Sequence, residues 1–309
     1  MTLTAMEERA ESISHQTLLP VGQKSGFFRG SATSVRDIWA HRELLGLLVR
    51  RELKARYKDS SLGLLWSLFK PLVQLAIYYF AIGQILGAAR SVPDFGIFVF
   101  IGLTMWGLFS EIISTSTTAI LGNAGLVKKV YLPREIFPLA SVGGALFNFM
   151  VQSIVLILGI IFLASVPFNG NDLWLVPLSI ALLVVFSTGV GLVLSAVNVY
   201  FRDVQHFVEI GTMVLFWASP IVYSFTFVQN KLQGNWLEQI YLANPVTLAV
   251  LGMQKALWAA GEVGTGAQQQ VWPDNLELRL AVALLISLVL LWLGQRVFSR
   301  LQGNFAQEL

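Results

Sequence analysis

Long apolar runs are the feature that most limits what this chain can fold into. About 20 apolar residues cross the hydrocarbon core of a bilayer as a helix, and backbone in lipid must satisfy its own hydrogen bonds. Five runs reach that length, and a sixth contains Glu209 near its start and Pro220 inside it. The six predicted spans cover about residues 62–86, 95–121, 136–166, 173–200, 207–227 and 280–298. We therefore predict an all-α integral membrane protein with six transmembrane helices.

The composition excludes several kinds of site. Only 13% of the residues are charged, whereas about 25% are charged in an ordinary soluble domain. The absence of cysteine rules out a disulfide, a thiolate metal site and a cysteine nucleophile. The sequence has no GxxxxGK[ST] phosphate loop, no HExxH zinc motif and no GxSxG nucleophile elbow, and its three histidines are scattered. We predict no catalytic residue, metal ligand or bound cofactor, so any ATP that this protein uses is bound by another chain.

The distribution of positive charge predicts the orientation. Sixteen of the 21 Lys and Arg residues fall on the side that holds both termini, four fall on the other side, and Lys70 lies within the first span. Because Lys and Arg accumulate on the cytoplasmic side, both termini are predicted to be cytoplasmic. The same rule argues against a seventh span at 236–260, since the loop that follows has no Lys or Arg. We expect 228–278 to be one external segment, part of which re-enters the membrane before the last span.

Four regions follow one another along the chain. Residues 1–35 are polar and rich in Gly and Ser, which predicts a flexible cytoplasmic tail without a secretory signal peptide. Residues 36–60 predict an amphipathic helix, residues 61–300 contain the membrane domain, and residues 301–309 form a second cytoplasmic tail.

The amphipathic helix carries basic residues on one side and Ile, Leu and Val on the other. A basic amphipathic helix beside a span usually lies in the headgroup layer and anchors the protein there. It can also be a scaffold that holds a cytoplasmic partner. Periodicity alone favours the anchor.

Polar and aromatic side chains recur inside the spans. Trp66, Lys70, Gln74 and Tyr78 follow one another every four residues and so share one face of the first span. Two interpretations of Lys70 stay open: a side chain that snorkels to the inner surface, or a residue at the mouth of a polar pathway. Many other aromatic residues lie near span ends, where aromatic belts are expected, although aromatic faces can also stack on sugar rings.

Several intramembrane polar residues have a packing interpretation. Glu111 lies among Ser and Thr residues in the second span, and Asn148 with Gln152 forms a pair in the third. Such side chains bond across helices or line water. A row of small residues in the fourth span, Ser187, Gly191 and Ser195, indicates close helix packing.

Three stretches together resemble the membrane subunit of ABC-2 type exporters of the polysaccharide class, which carry O-antigen, capsule, teichoic acid or galactan. They are LLVRRELKARYKDSSLGLLWSLFKPL at 47–72, NAGLVKKVYLPREIFPL at 123–139, and NVYFRDVQHFVEI with WASPIVY between 198 and 223. The resemblance covers roughly residues 36–300. It implies a permease that moves a lipid-linked polysaccharide from the cytoplasmic side across the plasma membrane, which in bacteria is the inner membrane.

The resemblance also implies roles for particular residues. The implied ATPase-coupling segment contains Leu126, Val127, Lys128, Lys129, Tyr131, Arg134 and Glu135. The implied interface helix presents Arg50, Arg51, Lys54, Arg56 and Lys58, and a cytoplasmic turn presents Arg202 and Asp203. The candidate channel-lining residues are Trp66, Lys70, Tyr78, Trp106, Glu111, Trp217 and Tyr223.

The implied partners are two copies of a separate ATPase subunit that binds ATP and Mg, a second copy of this chain, the lipid-linked glycan and membrane lipids. No nucleic acid is expected. Two alternatives remain: an ABC-2 permease that exports a drug or a free lipid, and a membrane-embedded transferase. The second needs a convergent catalytic set, which the isolated acids Glu111 and Glu209 do not supply.

Overall fold

The computed structural model describes residues 36–57, 65–129, 132–166, 170–263 and 269–309. These residues form helices joined by short turns, without a strand among them. After a helical turn at 36–40 come α1 (Arg42–Tyr57), α2 (Leu65–Tyr78), α3 (Phe95–Gly122), α4 (Ala124–Lys129), α5 (Ile136–Leu163), α6 (Leu175–Tyr200), α7 (Val204–Trp217), α8 (Phe225–Leu232), α9 (Trp236–Ala243), α10 (Pro245–Leu257), α11 (Ala260–Val263), α12 (Leu276–Leu301) and α13 (Phe305–Glu308). A π-helical stretch, Tyr79–Ile85, continues α2, and 3₁₀ turns occupy Ala88–Arg90, Gly170–Asp172 and Gln302–Asn304. The tail predicted at 1–35 lies outside the described residues.

Five helical segments of the described residues are long and apolar enough to cross a bilayer. They are Leu65–Ile85, Phe95–Gly122, Ile136–Leu163, Gly170–Tyr200 and Leu276–Asn304. They match five of the six predicted spans and confirm an all-α membrane protein. At the remaining predicted span, 207–227, the helix α7 has 14 residues and is therefore about 21 Å long. That is shorter than the hydrocarbon core, about 30 Å, so the count of six spans stays a prediction.

The interruption after α7 is held by side chains from α10. Pro220 has no N–H to continue a helix and leaves preceding carbonyls without helical partners. Thr247 Oγ1 donates to Ala218 O at 3.2 Å, and Gln254 Nε2 donates to Pro220 O at 2.8 Å. Irregular backbone at membrane depth needs such partners within the protein. The break is therefore built jointly by α7 and α10.

Helix α10 is buried along nearly its whole length, between α3, α6 and α12. Its start is capped by Asn244, whose side chain accepts from Val246 N at 3.0 Å and lies 3.4 Å from Ser219 Oγ. At its other end Lys255 pairs with Asp172 at 3.6 Å and with Glu277 at 3.4 Å, beside the starts of α6 and α12. Thus the break lies along α10, from Asn244 to Gln254, and Lys255 marks one end of the bundle. That this segment re-enters the membrane, and from which side, stays a prediction.

Close helix crossings organise the centre of the bundle. A Cβ placed on Gly294 of α12 would lie 2.3 Å from the carbonyl oxygen of Gly189 in α6, so only glycine permits this approach. A Cβ on Gly191 would lie 2.9 Å from Ser116 Cβ in α3. The packing interpretation of the small-residue row in the fourth span is confirmed at Gly191.

Helix α2, by contrast, lies at the edge of the bundle, since none of its residues is buried within the protomer.

Candidate functional site

Helix α1 docks on the membrane bundle through α5. Val49 approaches so closely that a Cβ on Gly143 would lie 2.7 Å from its Cγ2. Leu48 is buried, and Ser141 Oγ donates to Glu52 Oε1 at 3.5 Å. The predicted apolar face therefore packs on protein, while Arg50 and Lys54 are exposed. Burial raises the pKa of the Glu52 carboxyl, and nearby Arg56 opposes that rise.

A polar junction connects the end of α1 with α3 and α5. We use that name for Arg56, Tyr57, Glu111 and Asn148. Arg56 forms an ion pair with Glu111, and Asn148 Nδ2 donates to the same carboxylate oxygen at 2.6 Å. Tyr57 OH donates to Asn148 Oδ1 at 2.7 Å. Four side chains from three helices thus satisfy one another's hydrogen-bonding groups around the carboxylate of Glu111. In the sequence, Glu111 is only an isolated intramembrane acid.

The hydroxyls near Glu111 in sequence do not join this junction through their donated bonds. Thr115 Oγ1 donates to the backbone oxygen of Glu111 at 2.6 Å, and Ser114 Oγ donates to the same oxygen at 3.3 Å. Both bonds stay within α3. The partner of the carboxylate came from a helix 55 residues earlier, and periodicity carries no signal for such a pair.

A cavity of about 630 Å³ opens beside the junction. Trp66, Lys70, Trp106 and Glu111, four of the predicted channel residues, line it. Arg56 and the polar side chains Gln74, Asn148 and Gln152 complete much of its wall. The cavity therefore combines indole faces, two cations and several amide groups between α2, α3 and α5.

The other three predicted channel residues lie elsewhere. Tyr78 stacks on Phe216 with ring centroids 5.8 Å apart, and Trp106 meets the same ring edge-on at 5.4 Å. Trp217 is exposed at the end of α7, and its carbonyl accepts from Tyr223 OH at 2.7 Å. Tyr78 is thus a packing neighbour of the cavity wall, while Trp217 and Tyr223 lie at the break after α7.

The predicted coupling segment divides into an exposed and an inward part. In α4, Lys128 and Lys129 are exposed, Leu126 is half-buried and Val127 is buried. Tyr131 lies outside the described residues. The start of the segment is tied to α1, because Arg51 donates to Asn123 Oδ1.

Arg134 and Glu135 contact residues at the end of α12 and in α13. Arg134 donates to Gln302 O, and its guanidinium lies 5.8 Å from the centroid of the Phe305 ring. Glu135 is 2% exposed and accepts from Ser299 Oγ at 3.3 Å. Burial raises the pKa of the Glu135 carboxyl. These two residues are therefore placed as internal contacts between the coupling segment and the end of α12.

Two of the remaining predicted contacts, Arg202 and Asp203, lie at the same end of the bundle as α4. Arg202 and Asp203 are exposed in the turn between α6 and α7, and Lys58 lies outside the described residues. We call the end that carries α4 and this turn the inner end, as positive charge predicts. No group of three or more His, Asp or Glu side chains that could hold a metal occurs among the described residues.

A comparison with protein families decides the assignment. The family model described as ABC-2 type transporter matches residues 43–258, which is most of the chain and includes α1, α4 and α10. The chain belongs to the ABC-2 type transporter family. Helix α12 and the residues after it lie beyond the matched stretch of this ABC-2 chain.

Curated relatives of this ABC-2 chain are transport proteins. An O-antigen export system permease protein, RfbA, from Klebsiella pneumoniae is 28% identical over 267 residues, 86% of this chain and 95% of the relative. The RfbA protein from Myxococcus xanthus is 28% identical over 276 residues, 89% of this chain and 98% of the relative. A polysialic acid transport protein, KpsM, from Escherichia coli is 29% identical over 181 residues, 57% of this chain and 68% of the relative.

Proposed function

We propose that this chain is the membrane-spanning permease subunit of an ATP-driven exporter of a lipid-linked polysaccharide. The observation that carries the proposal is its similarity, over nearly the full length of two RfbA proteins, to O-antigen export permeases. The polysialic acid transport protein is a third relative with a polysaccharide cargo. The membership in the ABC-2 family supports a transport role rather than an enzymatic one.

The cavity has the chemistry that a glycan path needs. Its volume, about 630 Å³, is in the range of small-molecule sites. The indoles of Trp66 and Trp106 offer apolar faces to the C–H sides of sugar rings, while Gln74 and Gln152 can bond to hydroxyls. This combination supports a sugar cargo over a purely apolar drug or free lipid.

In this proposal, conformational changes driven by ATP hydrolysis reach the cavity through α4 and α1. In the proposal a separate ATPase, which binds ATP and Mg, docks on the inner end, where Lys128 and Lys129 are exposed. Helix α1 lies beside this segment through Arg51 and reaches the cavity wall through the pair of Arg56 and Glu111. A tilt of α1 would therefore move a wall of the cavity directly.

The docking role is tested by removing the two exposed lysines. We expect Lys128→Ala with Lys129→Ala to lower capture of the ABC ATPase on the tagged chain roughly fivefold, because charges at an interface speed and orient association. The measurement is the amount of ATPase that copurifies with equal amounts of permease. The matched control removes two exposed cations from the opposite side, Arg90→Ala with Lys231→Ala, and should leave capture unchanged. Equal capture by both double variants would reject the docking role.

The cargo is tested by depleting the chain from cells. Export of a lipid-linked glycan predicts that surface polymer disappears and that its lipid-linked precursor accumulates inside. Normal display after depletion would reject the glycan and leave the drug or free-lipid alternative. Formation of a glycan or acyl product by the purified chain alone would instead support the transferase alternative.

A further inference from the structure

We propose that Arg134 and Phe305 are positioning residues that join the coupling segment to the end of α12, so that a movement of α4 also displaces the last span. We call this contact between Arg134 and Phe305 the clasp. This inference rests on the ATP-driven export function proposed above. It assigns a role to the C-terminal residues, for which the sequence predicts only a cytoplasmic tail at 301–309.

The first observation is the burial of Phe305. Helix α13 has four residues and would not be stable alone. Its Phe305 is nevertheless 0% exposed. The ring lies 5.5 Å from that of Phe298 and 6.1 Å from that of Tyr200, measured between centroids. Burying a phenylalanine side chain is among the more stabilising single contacts that a residue can make, so this ring anchors the short segment.

The second observation is how the end of α12 is capped. The last carbonyls of a helix have no intrahelical partner and carry partial negative charge. Here Tyr200 OH donates to Leu301 O at 2.7 Å, and Arg134 donates to Gln302 O, which also accepts from the backbone N–H of Phe305. The guanidinium of Arg134 also lies over the Phe305 ring. The arginine thus combines a hydrogen bond with a cation–π contact, and a lysine, a compact point charge, is not equivalent at such a site.

The third observation is that the coupling segment is held at both ends. Its start is bonded to α1 by Arg51 and Asn123, and its exit is bonded to α12 by Arg134 and by Glu135 with Ser299. Between these points Val127 is buried in the same apolar cluster as Phe305. Lys128 and Lys129 remain on the exposed side. A displacement of Lys128 and Lys129 is therefore transmitted to both α1 and α12.

A path continues from the clasp into the bundle. Helix α12 crosses α6 at Gly294 and Gly189, where the backbones are too close for any intervening side chain. Close contacts of this kind transmit displacement because packed interiors have low compressibility. Loss of the clasp should let α4 move while α12 stays behind, so that ATP is hydrolysed with less transport.

The test compares four variants in the complete complex with its ATPase, expressed in cells and then purified. Phe305→Ala removes the buried ring, and Phe305→Leu restores most of its apolar volume. Arg134→Lys keeps the positive charge but removes the guanidinium, which bonds to Gln302 O and lies over the Phe305 ring. Gln307→Ala with Glu308→Ala is the matched control, since both side chains are exposed on the same short helix.

The deciding quantity is the ratio of two measurements: the amount of glycan displayed on the cells, and the rate of ATP hydrolysis by the complex purified from them. Both are taken at equal amounts of assembled complex. We expect Phe305→Ala and Arg134→Lys to lower this ratio roughly fivefold, within the range of coupling energies between sites. Phe305→Leu should recover much of the ratio, and the control should match the wild type. A merely structural contact would lower hydrolysis and display together and leave the ratio unchanged.

An unchanged ratio in Phe305→Ala and Arg134→Lys overturns the clasp. If Phe305→Ala fails to accumulate in the membrane, the ratio for Arg134→Lys is compared with that for Phe305→Leu. A lower ratio in Arg134→Lys supports the clasp, and equal ratios overturn it. The wild-type complex reports separately on the proposed function. A wild type that captures no ATPase rejects ATP-driven export and the clasp with it, whereas a wild type that exports normally beside unaffected variants rejects the clasp alone.

Discussion

At the scale of single residues, the meaning of a charge in this protein depends on a partner far away in sequence. Glu111 is a carboxylate in an apolar helix, and such a group is costly unless it is paired and hydrogen-bonded. The structure supplies Arg56 from α1 and Asn148 from α5. The side chains of Arg56 and Glu111 are 32% and 20% exposed, so water still screens the pair in part.

Glu111→Gln keeps the shape of the side chain and an acceptor for Asn148 but removes the charge that Arg56 meets. We expect a loss of about 1 kcal/mol in unfolding free energy, the upper part of the range for partly exposed pairs. The measurement is thermal unfolding of the detergent-solubilised chain in a double-mutant cycle with Arg56→Gln. Glu209→Gln, at an exposed acid of α7, is the control. Strictly additive effects of the two substitutions would show that the pair contributes nothing.

The same dependence on partners separates the basic residues that the sequence placed together. Lys128 and Arg134 lie six positions apart in the predicted coupling segment, yet one is exposed and the other caps the end of α12. A short motif indicates which residues share a segment. It does not indicate which of them face a partner.

At the scale of elements, close backbone contact fixes how the long helices cross. Substituting Gly294 by Ala places a Cβ 2.3 Å from Gly189 O, and no flexible side chain can move aside. Forcing atoms into a packed interior typically costs about 1–3 kcal/mol.

We therefore expect Gly294→Ala to lower the midpoint of thermal unfolding clearly. The matched control is Gly159→Ala in α5, where a Cβ would meet nothing within 4 Å. Since alanine favours helix over glycine by about 1 kcal/mol, the control should leave the midpoint unchanged or raise it. A Gly294→Ala midpoint equal to that of the control would show that α6 and α12 separate without loss.

At the scale of the whole molecule, one helix of the membrane bundle, α2, lies at its edge and carries both polar cavity residues and exposed apolar ones such as Phe69, Val73 and Ile77. Helix α2 has no buried residue, and its Trp66, Lys70 and Gln74 line the cavity beside α3. Lipid covers such polar groups poorly. The exposed face of α5, which contains Ile154, Ile157 and Phe162, is apolar and suits lipid. The second copy of this chain that the sequence resemblance implies stays a prediction. We propose α2 as its contact, because α2 carries a wall of the polar cavity and α5 does not expose such groups; a two-fold symmetric pair is the commonest assembly.

Cysteine cross-linking tests that arrangement cleanly, because the chain contains no cysteine of its own. Phe69→Cys or Val73→Cys on α2 should yield disulfide-linked dimers in membranes under mild oxidation. Phe162→Cys, at an exposed position of α5, should remain largely monomeric. Cross-linking from Phe162→Cys with none from either α2 position would place the second copy on the other face.

The sequence by itself determined the class of the protein and the position of its long helices. It did so because a span needs only local length, low polarity and self-satisfied backbone, and these are properties of contiguous residues. The break after α7 was visible for the same reason, as Pro220 cannot continue a helix. The resemblance of three short stretches added the family, which the match over 43–258 confirmed.

Only the tertiary structure decided which distant groups meet. It brought Trp66, Lys70, Trp106 and Glu111 to one cavity and left Trp217 outside it. It paired Arg56 with Glu111 and laid Arg134 over Phe305, partners separated by 55 and 171 positions. Such pairs depend on how whole helices pack, and periodicity within one helix shows which face is polar without showing what that face will touch.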